Sequence, residues 1–478
     1  MLANPSGTLD TLRSLGVDVV KVFVPWDDIA PDPTSSHPPA GFDASDPSAY
    51  PAANWAIYDT IVRDAAARGV GLDLTLAEPP PRWARGAGAP ADAGPQWKPS
   101  PALFGQFVHA VGARYSGHYT PPGETKPLPR VSTWSIWNEP NYGPELKPQA
   151  IDHWRIPVSP MLYRGLLDAA WDALLATGHG HDTILIGELA PRGIEAADGM
   201  VPLRFVRALY CLSDSLQPLR GAAATVLGCP PTAAGSSAFR ARNPALFDAT
   251  GFSDHPYPQG QAKPDFVTPD EPDYADFAAL PKLMSTLDHA QQAYGASKRF
   301  QIWSTEYGYK TNPPLALQAS PTVAASLINW SEYLSWRNPR IASYDQFGLV
   351  DPLPSSGSSF VTALESSNGT PKATYDAYRM PVWLPVTSFS SGQPVEVWGC
   401  VRPARYARID SGRVQRVRIQ FKRAGAARFA TVTTVTLSDR YGYFDVDQAF
   451  PRTGAVRLAW TYPHGAEIFS RTVSVTAH

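Results

Sequence analysis

Between residues 17 and 347 the chain alternates short apolar runs with longer stretches of helical period. The runs VDVVKVFV (17–24), VGLDLTLA (70–77), VSTWSIW (131–137), DTILIGEL (182–189), DATGFSD (248–254), RFQIWST (299–305) and IASYDQF (341–347) read as strands. Helical spacing is clearest over 53–68, 101–115, 160–176 and 320–336. Parallel strands covered on both faces appear as apolar runs rather than strict alternation, as most of these do. Repeated β-α units predict an α/β fold, a (β/α)8 TIM barrel with chemistry at the carboxyl ends of its strands. The rival doubly wound sheet would usually carry a Gly-x-Gly-x-x-Gly turn after a strand, and none of these strands is followed by one. Residues 7–15 (GTLDTLRSL) read as a helix ahead of the first visible strand. The expectation is therefore a barrel missing most of its first strand, left incomplete or compensated.

After Pro385 the texture becomes short strands with turn residues between them: VEVWGCV, VQRVRIQF, ATVTTVTL, YFDVDQAF, AVRLAWTY and RTVSVTA. Regular short strands of this kind predict an antiparallel β-sandwich, here expected to be immunoglobulin-like. The expected organisation is a barrel over 1–384 and a sandwich over 385–478. The second part carries 13 Lys+Arg against 6 Asp+Glu, so it is basic and the barrel acidic. A basic module could bind an anionic polymer, but docking of one part on the other, or solubility, accounts for the same asymmetry.

A chain of 478 residues with 44% hydrophobic and 18% charged positions is globular and long enough for more than one core. Net charge is −2 with no basic run, which argues against a nucleic-acid partner. No apolar stretch is long enough for a membrane span. Cys211 and Cys229 flank a Pro/Ala/Gly-rich loop and are expected to form a disulfide, leaving Cys400 as a buried thiol. The start, Met-Leu-Ala-Asn-Pro-Ser, has neither region of a signal peptide, so the chain is either cytosolic or secreted with its signal removed. The expected disulfide favours secretion.

Two strands end in glutamates with unusual surroundings: Trp134-Ser135-Ile136-Trp137-Asn138-Glu139-Pro140-Asn141 and Gln301-Ile302-Trp303-Ser304-Thr305-Glu306-Tyr307-Gly308. A lone strand-end glutamate often caps a helix or pairs with a surface cation. Two at the same barrel rim would converge, although far apart in sequence. Glycoside hydrolysis needs such a pair, one carboxyl giving a proton to the leaving oxygen and the other ionised toward the anomeric carbon. In Trp-Asn-Glu-Pro-Asn the proline ends the strand and fixes the backbone where Asn138 and Glu139 must be placed.

These motifs, with Asp254-His255-Pro256-Tyr257-Pro258 on a strand between them, resemble the clan A glycoside hydrolases, most closely family 39, with families 5 and 30 as neighbours. The resemblance implies that Glu139 is the acid/base and Glu306 the nucleophile, that Asn138 bonds the sugar 2-hydroxyl, that Tyr257 hydrogen-bonds the nucleophile and that His255 contacts substrate. It implies a retaining double displacement on a carbohydrate substrate, with no metal or organic cofactor. A catalytically inactive carbohydrate-binding barrel and a family 5-like endoglucanase are the alternatives. One departure concerns the arginine that supports the nucleophile in many clan members, since the nearest basic residue here is Lys21, which cannot repeat a bidentate guanidinium contact.

Trp26 and Trp83 follow strands at the expected mouth and are candidate sugar-stacking platforms. Trp303 reads as packing toward the helices, because it lies three residues before Glu306 on an alternating strand. Glu78 is either a sugar contact or a solvated loop carboxylate. His179 and His181 sit in a Gly-rich turn at the opposite rim, where turn chemistry explains them better than a metal.

Overall fold

A computed structural model of the protein describes residues 1–91, 93–463 and 465–478. Seven parallel strands form one curled sheet with helices around it: β1 (Val19–Pro25), β2 (Gly71–Ala77), β3 (Thr133–Ile136), β4 (Thr183–Leu189), β5 (Gly251–Asp254), β6 (Gln301–Tyr307) and β7 (Ile341–Gln346). Neighbours in sequence are neighbours in the sheet, as right-handed β-α connections dictate. Val20, Val22 and Val24 of β1 and Leu72, Leu74 and Leu76 of β2 face outward into the main core. Their alternates Lys21, Phe23, Asp73 and Thr75 therefore face the barrel interior.

The helices are set by local signals at their ends. Pro5–Leu15 (α1) begins after Asn4, whose side chain accepts from Gly7 N at 3.1 Å, and ends at Gly16 in the left-handed conformation. Ala52–Arg68 (α2) likewise ends at a left-handed Gly69. Pro101–Arg114 (α3) and Pro321–Arg337 (α4) each start with proline behind a serine cap, Ser100 and Ser320.

Among the described residues β1 pairs only with β2 and β7 only with β6, so the barrel is open at one seam. Leu15, Val17 and Leu364, with Leu12, Val20, Leu349, Tyr375 and Tyr378 packed around them, fill that seam with side chains instead of a strand. Among the described residues the sheet has seven strands, and this apolar cluster lies between its two edges.

Beyond Arg379 two further sheets enclose a second core. One holds Val382–Trp383, Pro394–Cys400 and Tyr443–Ala449. The other holds Ser388–Phe389, Val473–Ala477, Gly454–Thr461, Arg416–Arg423 and Ala430–Thr436, with Glu467–Phe469 beside Gly454–Thr461. Six strands fall where the sequence places them, while the two- and three-residue strands and the helix Ala404–Ser411 escape sequence pattern for want of length. Met380, Val382 and Leu384 already belong to this second core.

The sandwich docks on α4. Glu332 is buried between Arg402 (2.5 Å) and the Tyr443 hydroxyl (2.8 Å), Arg471 Nε donates to Asn329 Oδ1 at 2.8 Å, and Trp330 stacks on Trp383 at 5.1 Å. Cys211 and Cys229 are disulfide-bonded and Cys400 is a buried thiol. Among the described residues no helix is long and apolar enough to cross a membrane.

Candidate active site

At the carboxyl rim the backbone turns sharply where each strand ends. Trp137, Glu139 and Glu188 all take positive φ (68°, 36° and 49°), a conformation that costs a non-glycine residue on the order of 1 kcal/mol. It lets the Glu139 amide donate to the Glu188 carbonyl at 2.9 Å and the Trp137 amide to the Leu76 carbonyl at 2.9 Å. Asn141 then staples the two loops leaving this rim: its amide donates to the Ala190 and Met200 carbonyls, each at 3.0 Å, and its oxygen accepts from Ala190 N at 2.9 Å.

Glu139 and Glu306 converge. One carboxylate oxygen of each and a ring nitrogen of His255 all lie within 4.8 Å of one another. His255 Nδ1 is 3.0 Å from Glu139 and 3.6 Å from Glu306, while its Nε2 is 2.9 Å from Glu188. Tyr257 donates its hydroxyl to Glu306 Oε2 at 3.0 Å. Lys21 forms an ion pair with Glu188 and lies 3.7 Å from Glu306 Oε1. Thr305 Oγ1 stands 3.2 Å from both oxygens of Glu188.

This is a buried charge network of three carboxylates and two cations. Burial opposes the charge on His255, but attraction to Glu306 and hydrogen bonds to Glu139 and Glu188 outweigh both burial and repulsion from Lys21, and its pKa is pushed up to about 10. Burial alone would raise Glu188, yet Lys21 and His255 hold it well below the usual carboxylate range. Lys21 is raised above the usual lysine range, since Glu188, Glu306 and Asp73 overcome its burial. Glu306 is raised, chiefly by burial, with His255 and Lys21 pulling down and Glu139 and Glu188 pushing up. Burial keeps the Tyr257 phenol protonated, so it remains a donor.

Glu139, His255 and Glu306 are the three groups spaced to hold a metal ion. The carboxylates around His255 favour its protonated form, which competes with a metal ion for the ring nitrogens.

The cleft above the carboxylates has a volume of about 500 Å³ and is lined by Phe23, Asn138, Glu139, Glu306, Phe347 and Phe360 among others. Asn138 donates Nδ2 to Glu78 Oε1 at 3.3 Å, which leaves its own Oδ1 without a partner. Glu78 is neither solvated nor a wall of the cleft: it is buried beneath Asn138, and burial, with the Glu145 carboxyl adding to it, pushes its pKa well above the usual carboxylate range. A larger depression of about 730 Å³, near Arg63 and residues 123–127, is remote from these groups, and its Arg63 and Glu124 pair with each other at 2.5 Å.

Several expectations are corrected. Trp26 is 0% exposed and packs on Phe107 (5.7 Å), and Trp83 is 8% exposed, edge-on to Trp26 at 6.2 Å with Nε1 donating to the Pro31 carbonyl. Neither faces the cleft, because the chain turns inward after each strand and the helices claim both indoles. The exposed aromatic surface belongs to Phe347 and Phe360, packed 5.9 Å apart in the loop region after β7. His255 is fully buried among carboxylates, so it organises charge and does not touch the cleft. Trp303 lies inside the barrel: a Cβ on Gly251 would come within 2.3 Å of its indole. A register shift between Ser304 and Tyr307 breaks the alternation that would have turned it outward and aims both Thr305 and Glu306 at the site.

Lys21 faces Glu306 directly as a point charge at 3.7 Å and pairs more closely with Glu188. Glu188 is the functional residue that sequence reasoning missed, although a lone acidic position at the end of the DTILIGEL strand was a signal of the same kind as Glu139. His179 is buried between Asp182 (2.6 Å) and the Gly112 carbonyl (3.0 Å), as turn chemistry requires.

No family model and no curated protein matches the chain. Solved structures similar to it include an endo-β-1,4-glucanase of Xanthomonas axonopodis pv. citri (11% identity, 78% of this chain and 88% of that one, TM-score 0.42). They also include a β-glycosidase of Thermosphaera aggregans (16%, 73% and 76%, TM-score 0.41) and a family 1 β-glucosidase of Thermotoga maritima (12%, 72% and 76%, TM-score 0.41).

Proposed function

We propose that the protein is a retaining O-glycoside hydrolase with Glu306 as nucleophile and Glu139 as acid/base. The observation that carries this reading is the approach of the two strand-end carboxylates, within 4.8 Å, at the floor of one cleft. Retaining enzymes hold the pair about 5–5.5 Å apart, whereas an inverting pair needs roughly 6.5–9.5 Å to admit water between them.

In the first step Glu306 forms a bond to the anomeric carbon as the glycosidic bond breaks, and Glu139 protonates the departing oxygen. In the second, Glu139 takes a proton from water as the water oxygen displaces Glu306 from the sugar. Tyr257, Lys21 and His255 each favour the charged form of Glu306, against the burial that raises its pKa. Asn138 Oδ1, buried and unpartnered, accepts from a sugar hydroxyl. No step calls for a metal or organic cofactor. The Cys211–Cys229 disulfide supports secretion into an oxidising compartment.

The test is hydrolysis of a panel of aryl glycosides with the anomer of the first product read by NMR. Glu306→Gln should abolish turnover in a folded protein, while Glu139→Gln should spare substrates with good leaving groups in the first step, because they need little protonation. Inverted product, or full activity of Glu306→Gln, refutes the mechanism.

A further inference from the structure

Among the described residues two cations near the cleft, Arg192 and Lys310, form no salt bridge. Arg192 lies just beyond β4, on the loop that Asn141 staples to the Glu139 loop. Its guanidinium spends one donor on the Tyr257 carbonyl, Nη1 to O at 3.0 Å. Lys310, four residues after Glu306, holds Nζ 4.2 Å from the ring centroid of Phe360, a cleft-lining residue that is 39% exposed. Phe360 in turn packs on the Tyr257 ring at 5.3 Å, so the two cations are tied to neighbouring residues, Arg192 to the Tyr257 backbone and Lys310 to the Phe360 ring.

Among the described residues neither cation has a carboxylate oxygen within 4.0 Å. Asp276 and Glu139 attract Arg192 from beyond that distance, and Asp276 is engaged with Thr268 Oγ1 at 3.1 Å. Both cations are part-buried, and burial lowers the pKa of each, with repulsion from Arg192 adding to the effect at Lys310. Two like charges, partly stripped of water and within reach of each other, are an unfavourable arrangement in the free protein. An anion placed between them would relieve it, and an arginine fork beside an ammonium matches the oxygens of a carboxylate or sulfate.

The geometry points to a subsite for a negatively charged substituent of the sugar, a carboxylate or a sulfate ester, held by Arg192 and Lys310 beside Phe360. This inference rests on the glycosidase reading, and it narrows the substrate class to acidic glycosides. The two anion types share the recognition chemistry, so both enter the test.

Each neutral aryl glycoside of the panel is matched with its 6-carboxylate and its 6-sulfate, and kcat/KM is measured for the native protein and for Arg192→Gln/Lys310→Met. The native protein should prefer an anionic member over its neutral partner by about tenfold or more, the scale of one well-placed charge-assisted contact. In the double variant that ratio should fall toward one, and in the native protein 0.5 M NaCl should reduce it, as screening requires. A preference for the carboxylate or for the sulfate identifies the natural anion. A native ratio of one, or a ratio the double substitution leaves intact, overturns the subsite even if neutral glycosides are cleaved, and the glycosidase reading then stands. If no glycoside is cleaved, the glycosidase reading fails and binding alone judges the subsite. Calorimetric titration with trigalacturonate and its carboxyl-reduced form should then favour the acid, with the preference lost in the double variant, and equal affinity for the two overturns the proposal.

Discussion

Glu188→Gln probes the charge network directly, because the amide keeps the shape of the side chain and removes its charge. In the native protein Glu188 faces Lys21, His255 Nε2 at 2.9 Å and Thr305 Oγ1 at 3.2 Å, all donors. A glutamine offers them one acceptor oxygen and turns an NH2 toward the rest, so at least one buried donor loses its partner. Removing one member of a buried ion pair costs about 3–5 kcal/mol. Lys21 keeps Glu306 at 3.7 Å, which places the expected loss at the lower end, about 3 kcal/mol.

The pH dependence is more specific than the magnitude. His255 moves from 6.5 in the unfolded chain to about 10 in the native one. Its contribution is therefore complete below about 6.5 and disappears as pH rises through about 10. Between these values the native state holds one proton that the unfolded state has lost, and stability falls by about 1.4 kcal/mol per pH unit. Asp73 and Asp345, pushed up to about 7, are mostly ionised above pH 8, and groups remote from Glu188, such as the buried Cys400 thiol, contribute alike to both proteins, so the difference in slope between pH 8 and 9.5 reports the histidine. In Glu188→Gln one of the two carboxylates bonded to the imidazole is gone, its proton leaves nearer neutrality, and the slope over that window should shrink. Urea denaturation of both proteins at half-unit pH intervals measures it. Equal stability at pH 7 together with parallel slopes from 8 to 9.5 would falsify the network as described.

Tyr257→Phe removes a donor from Glu306, so turnover should fall about 10- to 100-fold with little change in Tm, and the acidic limb of the pH–rate profile should move up because the ionised form has lost a bond. An unchanged profile would mean the bond does nothing for the carboxylate. Trp26→Ala should cost about 3–5 kcal/mol as a core truncation. A raised KM at undiminished stability would instead restore the indole to the substrate surface. Replacing Cys211 and Cys229 by serine opens an 18-residue separation and should cost about 3 kcal/mol on the chain-entropy model, read as a lowered denaturation midpoint matched by adding reductant to the native protein.

Sequence by itself determined the seven barrel strands, the main helices and the sandwich strands, because period and apolar runs are local properties that the backbone must satisfy wherever a segment ends up. It also singled out Glu139 and Glu306, since a strand-end position implies a place at the rim, and the motif resemblance added Asn138 and Tyr257. Tertiary structure decided what those positions do. Trp26 and Trp83 look like mouth residues until the turn after each strand folds them beneath a helix. Trp303 looks outward until a register shift, invisible in the alternation, turns it inward. Lys21 and Glu188 carry no motif, being ordinary residues on different strands, and they acquire meaning only because closing the sheet sets their charges together away from water, where each fixes the ionisation of the next. The seam is similar: nothing local marks Leu15, Val17 and Leu364 as partners, and they become a substitute for a strand only when the two edges of the sheet approach each other.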